Sequence, residues 1–155
     1  MTGDELLETL RRFFGEVATL SLATVDPSGQ PHAANVNFVA DERLNLLFVS
    51  HPDSAHARHI DREASAAVTA YGPFKHPGEI RGVQARCRAQ ACPESEFENC
   101  WNRFTRRFAY AREYEQRARL ERFYRLEPTW LRWIDNRVGF GFKHETDWPV
   151  PEFQA

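Results

Sequence analysis

Apolar residues recur at helical spacing in two places along the chain. Near the start, Leu6, Leu7, Leu10, Phe13 and Phe14 share one face at a period of 3.6. Thr2 and Glu5 stand before them as a T-x-x-E capping box, so a short amphipathic helix opens the chain. Later, Phe97, Trp101, Phe104 and Phe108 recur at steps of four, three and four, behind a second candidate box of Ser95 and Glu98. That helix is predicted to reach about Ala118, whole or in two pieces. Between the two lies β-prone text. Strands are predicted at 17–25, 32–40, 44–50, 65–72 and 80–90, with the turn "DPSGQP" at 26–31 and "DER" at 41–43. Residues 54–63 are too polar for a core strand and read as a short helix. Residues 122–136 return to strand-like text, broken at Pro128. Some six short antiparallel strands with helices at the ends point to a mainly β, α+β domain built as a small closed barrel.

Composition narrows the class without naming a function. The chain has 155 residues, 42% hydrophobic and 27% charged, the size and balance of one globular domain. A net charge of −2 gives no global field for nucleic acid. The arginine-rich stretch from Arg103 to Arg125 is interleaved with glutamates, the pattern of an ion-paired surface and not of a coherent basic patch. Neither a nucleic-acid partner nor a membrane partner is expected, and the acidic start "MTGDELLETL" is neither signal peptide nor transmembrane span. Cys87, Cys92 and Cys100 form no C-x-x-C, so neither a disulfide framework nor a zinc site is expected, and a reducing, cytoplasmic compartment is.

Candidate chemistry lies in two segments. "WIDNRVGFGFK" (133–143) looks like a phosphate loop, but two prolines follow where a helix should open. Alternation explains it better: Val138, Phe140 and Phe142 on one side of a last barrel strand, Gly139, Gly141 and Lys143 on the other. Glycines within a strand leave room for close approach of a ligand or a partner subunit. The second segment holds His51, Asp53, His56 and His59. A metal is one reading of it; a polar helix surface or an anion site is the other, and no metal ligand is assigned.

Several segments together carry a resemblance: "LATVDPSGQPHAANVNFV", "LLFVSHPDSAHARHI", "IRGVQARCRA" and "WLRWIDNRVGFGFK". The chain resembles the pyridoxamine 5′-phosphate oxidase-like superfamily of FMN-binding split barrels, most closely its YhbP-type branch, over roughly residues 5–145. The resemblance implies a six-stranded antiparallel split β-barrel over residues 1–145, followed by a tail over 146–155. It implies a homodimer with FMN at the subunit interface. The flavin would lie along Ala34, Asn35, Val36 and Asn37, with its phosphate held by Ser50, Ser54, His56 and Arg58. Gly82 would face the cofactor, and the partner subunit would contribute Trp133, Arg137 and Lys143. The implied activity is a flavin-dependent oxidoreductase acting on a small molecule, but not pyridoxamine 5′-phosphate oxidation itself, for which Arg137 is the sole counterpart of the substrate arginines. Where the family carries an arginine and a lysine at its phosphate site, this chain has Ala34 and His56, and Cys87 replaces a glycine. FAD, the deazaflavin F420 and haem therefore stay open as cofactors. A carrier or sensor that binds flavin or haem without catalysis is the alternative, with His51, His56, His59 and His144 as possible axial ligands. No catalytic residue is assigned; Tyr71 and His32 are the nearest acid–base candidates.

Overall fold

The computed structural model describes residues 1–149. Helix α1 (Gly3–Glu16) starts at the expected capping box: Thr2 accepts from the Glu5 amide, and Glu5 accepts from the Thr2 amide at 2.7 Å. Eight strands follow in one antiparallel sheet, two more than the sequence predicts. They are β1 (Thr19–Val25), β2 (Pro31–Asn37), β3 (Val39–Ala40), β4 (Leu46–Ser50), β5 (Ser65–Tyr71), β6 (Arg81–Ala91), β7 (Arg122–Asp135) and β8 (Lys143–Asp147). Helix α2 (Ala55–Arg62) links β4 to β5. Helix α3 (Phe97–Arg107), a 3₁₀ stretch and the short α4 (Glu115–Ala118) link β6 to β7. None of these helices is long and apolar enough to cross a membrane.

The hydrogen-bonded order is β2-β1-β5-β6-β7-β4-β3, with β8 also on β7. Its two ends, β2 and β3, are separated in sequence by Phe38 alone. The sheet must therefore curl until its ends meet, which makes it a barrel. The predicted single strand at 32–40 is thus two, bent at Phe38, whose side chain is wholly buried. Arg107, at the end of α3, holds the bend by donating to the carbonyls of Phe38 and Val17.

β7 is continuous through Pro128. On one edge it pairs β6 over its length, with a register shift opposite Arg86 and Cys87. On the other it pairs β4 over Arg122–Leu126 and β8 over Trp130–Ile134. Pro128, which lacks an N–H, falls where one partner gives way to the other.

Alternate residues of β4 serve two cores. Leu46 and Phe48 point into the barrel with Leu20, Leu22, Val83 and Leu126. Leu47 and Val49 face outward and pack with Trp101, Phe104 and Phe108 of the α3 region. α1 closes one end of the barrel through Phe13, edge-on to Trp133 at 5.0 Å, and Phe14, edge-on to Phe38 at 5.5 Å. Each of these fully buried side chains contributes about 1.5–3 kcal/mol relative to exposure.

Two sequence expectations give way here. Residues 136–142 are a turn and not a strand. Asn136 Oδ1 accepts from the Gly141 amide at 2.9 Å, Asp135 Oδ1 from the Arg137 amide at 3.0 Å, and Gly141 sits at φ +82°. Asp-Asn turn chemistry outweighs the apolar alternation, and leaves Val138 and Phe140 63% and 82% exposed. The barrel strand resumes at Lys143 and runs to Asp147, and Trp148 beyond it is buried; the last six residues of the expected tail lie outside the described residues. The Ser95–Glu98 capping box does not form. A 3₁₀ turn (Glu94–Glu96) occupies that place, and Glu98 pairs with Arg119 at 2.6 Å.

Candidate functional site

The barrel has a seam. β2 pairs with β1 alone, so its other edge carries no ladder partner among the described residues. On the facing side, β3 pairs only Leu46 and Leu47 of β4, which leaves Phe48 to Ser50 beyond its reach. The seam is therefore lined by Ala34-Asn35-Val36-Asn37 on one side and by the end of β4 on the other. Along β2 the odd positions from Pro31 to Asn37 are exposed and the even ones half-buried. Asn35 and Asn37 accept from Ser21 and Thr19 at 2.8 and 3.0 Å.

At the end of β4 the chain turns into α2 through "HPDS". Ser54 caps the helix, accepting from the Ala57 amide at 3.4 Å. Ser50 Oγ lies 2.8 Å from His56 Nε2, Ser54 Oγ 3.2 Å from the same nitrogen, and the hydroxyls are 3.3 Å apart. One imidazole and two hydroxyls thus converge at a helix N-terminus, where backbone amides and the helix dipole favour an anion. The His56 ring contacts Phe48 at 5.9 Å, and Phe48 stacks on Tyr124 at 5.3 Å, which fixes its place. Behind it, His59 Nδ1 meets Thr24 Oγ1 at 2.9 Å, and the His32 ring stands edge-on to His59 at 5.4 Å. Desolvation, then the neighbouring His32 and His59, hold the His56 pKa below its ordinary value of 6.5, so the free cradle is mainly neutral at pH 7.

Of the residues predicted for the site, Ser50, Ser54 and His56 are brought together. Arg58 is exposed one turn into α2, and Ala34 to Asn37 line the seam. Arg122 escaped the sequence reading: it stands directly across from Ser50 in the β4–β7 ladder, and no local pattern links two residues so far apart in the chain. Gly82 belongs elsewhere. It is buried, and a Cβ there would meet the Ala70 carbonyl oxygen at 2.7 Å, so its role is close strand packing. Trp133 is 1% exposed inside the barrel and is not a surface residue for a partner's cofactor. Arg137 is committed to a bidentate pair with Asp135, at 2.8 and 2.7 Å, though half its side chain remains exposed. Lys143 is exposed at the start of β8. Tyr71 is 71% exposed, and His32 belongs to the histidine string. Cys87 is buried, which pushes its thiol up to about 12 and makes it inert.

The donor set fits a phosphate. Two hydroxyls, an imidazole, the first amides of α2 and two nearby arginines can all donate. The one carboxylate in the turn, Asp53, points to solvent at 87% exposure. The unpaired β2 backbone offers the alternating donors and acceptors that a heterocyclic ring edge needs.

The curled antiparallel sheet, its seam and the flanking helices define a split-barrel protein. The chain belongs to the pyridoxamine 5′-phosphate oxidase family, whose family model matches residues 6–135. No curated protein matches it. Its fold is similar to that of a heme binding protein from Mycobacterium smegmatis (17% identity, TM-score 0.76, 95% of this chain and 58% of that one). It is also similar to ChuZ from Campylobacter jejuni (14%, 0.79, 95% and 61%) and to HutZ, the heme storage protein from Vibrio cholerae (19%, 0.66, 83% and 91%). This chain thus spans about three fifths of the length of the first two.

Proposed function

We propose that this chain binds FMN at the seam of its barrel and works, as a homodimer, as a flavin-dependent oxidoreductase on a small molecule. The observation that carries the reading is the Ser50–Ser54–His56 cradle at the α2 N-terminus, set across the seam from the unpaired edge of β2. Ser50, Ser54, the first amides of α2, Arg58 and Arg122 hold the phosphate. His56 gains a proton as the dianion arrives, because the anion favours the charged imidazole. The backbone from Ala34 to Asn37 binds the polar edge of the ring, and the small Ala34 side chain lets the ring lie close. Arg137 and Lys143 reach the cofactor from the partner subunit. When bound, the flavin supplies the hydride chemistry, and the protein supplies binding, orientation and exclusion of water.

A second reading is a haem-binding protein without catalysis. It is favoured by the string of His32, His59 and His56, where His59 engages Thr24 through Nδ1 and keeps Nε2 for iron. The names of the M. smegmatis and V. cholerae proteins point the same way.

The visible spectrum of the purified protein tests both. A flavin double band, with FMN identified by mass spectrometry of the released ligand, is expected. Ser54→Ala and His56→Ala should each weaken FMN roughly tenfold or more, the worth of one hydrogen bond to a charged group. A Soret band instead transfers the chain to the second reading. Protein that stays colourless and binds none of FMN, FAD, F420 or haem on titration overturns both.

A further inference from the structure

The sequence gives no zinc-like spacing, yet the fold gathers two of the three cysteines with a carboxylate. Cys92 follows β6, Glu96 ends the 3₁₀ turn, and Cys100 lies in the first turn of α3. Their Sγ and carboxylate oxygen atoms all lie within 4.8 Å of one another. Metal–sulfur and metal–oxygen bonds of about 2.3 and 2.1 Å in a tetrahedron put ligand atoms about 3.5–4 Å apart, so sub-ångström movements close this set on an ion. Both cysteines are buried free thiols. We propose that Cys92, Glu96 and Cys100 form a structural site for one thiophilic divalent cation of the zinc class, tying the end of β6 to α3.

Four further features fit. Arg125 Nη2 bonds Glu96 Oε2 at 2.7 Å, which orients the carboxylate and leaves Oε1 for the ion. Two thiolates and Glu96 against Arg125 sum to −2, the charge one divalent cation neutralises. Arg125 Nε is buried without an acceptor among the described residues, and deprotonated sulfurs in its neighbourhood would supply one. Cys92 lines a cavity of about 240 Å³ together with Glu94, Phe97 and Glu121, which opens a way to the cluster from the side of that ligand. Sulfur donors select zinc, cadmium or cobalt over magnesium and calcium. Loading is M²⁺ plus two thiols and one carboxylate giving the complex and two protons, with no change of oxidation state.

The site is independent of the flavin reading, and its test uses the full chain, reduced with a phosphine and stripped with a chelator. Titration with Cd²⁺, followed by thiolate-to-cadmium charge-transfer absorption, should saturate at one ion per chain, and Zn²⁺ should displace it. Cys92→Ser and Cys100→Ser should abolish the absorption, whereas Cys87→Ser should keep it. Glu96→Gln, at a partly exposed position that leaves the core intact, should keep the absorption and weaken affinity roughly tenfold or more. Absence of the band, its survival in Cys100→Ser, or unchanged affinity in Glu96→Gln would overturn the proposal.

Discussion

At the residue scale, the glycines separate by what surrounds them. Gly82 has the Ala70 carbonyl oxygen 2.7 Å from where a Cβ would sit, whereas Gly139 has nothing within 4 Å. Gly82→Ala should therefore lower stability by about 1–3 kcal/mol in urea unfolding, since the backbone must shift. Gly139→Ala should stay within about 0.5 kcal/mol. Gly141 also faces open space, but its φ of +82° strains any L side chain, and Gly141→Ala should cost about 1 kcal/mol. His56 gives a pH prediction of definite sign. Its folded pKa lies below the ordinary 6.5 because of burial and because of His32 and His59. The unfolded chain therefore binds the proton first. Stability should be complete above pH 6.5 and fall as the pH drops from there toward the folded value. His56→Gln should flatten that part of the curve. The carboxylates held low by partners, Asp26, Glu42 and Asp135, have ordinary values of 3.8–4.5, so their losses come at more acidic pH. Unfolding curves from pH 7 to 5 that superimpose for wild type and His56→Gln would refute the assignment.

At the element scale, the decisive joint is Phe38. Arg107 donates to the Phe38 carbonyl at 3.2 Å and to that of Val17, and its guanidinium lies over the Phe38 ring at 5.5 Å. Arg107→Met keeps much of the apolar stem and removes the donors. It should cost about 1–3 kcal/mol through the two carbonyls it leaves, and amide exchange should quicken first at Phe38 to Ala40. What was legible in the sequence follows from the same distinction between local and distant causes. α1, α2, β1, β5 and β6 lie within a residue or two of where the sequence predicts them, because capping residues, alternation and turn chemistry act locally. The bend at Phe38 and the two-edged pairing of β7 are not legible there, because partners far along the chain create them. The turn at 136–142 departs from the sequence pattern for a different reason: Val138, Phe140 and Phe142 do alternate, but the Asp135 and Asn136 side chains capture the backbone first. In the candidate site, Ser54 and His56 follow from the family resemblance, and they stand at the cap and in the first turn of α2. Arg122 does not, since only the β4–β7 register brings it to Ser50.

At the scale of the whole molecule, the outer face of the sheet is flat where a surface ordinarily bristles. Ala33, Ala23 and Ala67 stand side by side across β2, β1 and β5, and all three are exposed. The row continues into Arg86 of β6, whose guanidinium lies 4.9 Å from the Trp130 ring. The next row, Asn35, Ser21, Thr69 and Gln84, is small and polar. Tyr71, Phe74 and Tyr110 are large side chains left 71%, 49% and 58% exposed. A second subunit pressed on this platform would cover the alanines without displacing long side chains, and would bring its own residues to the open edge of β2. Such a surface favours close, shape-driven contact over charge pairing. If the homodimer proposed above uses it, one long charged side chain in the middle should prevent docking while leaving the barrel interior untouched. Ala23→Arg and Ala67→Arg should each give a folded monomer by light scattering, with circular dichroism like that of the wild type. FMN should be lost with the dimer if both subunits build its site. A variant that remains dimeric moves the interface to another face, and one that becomes monomeric yet keeps FMN places the whole site within one chain.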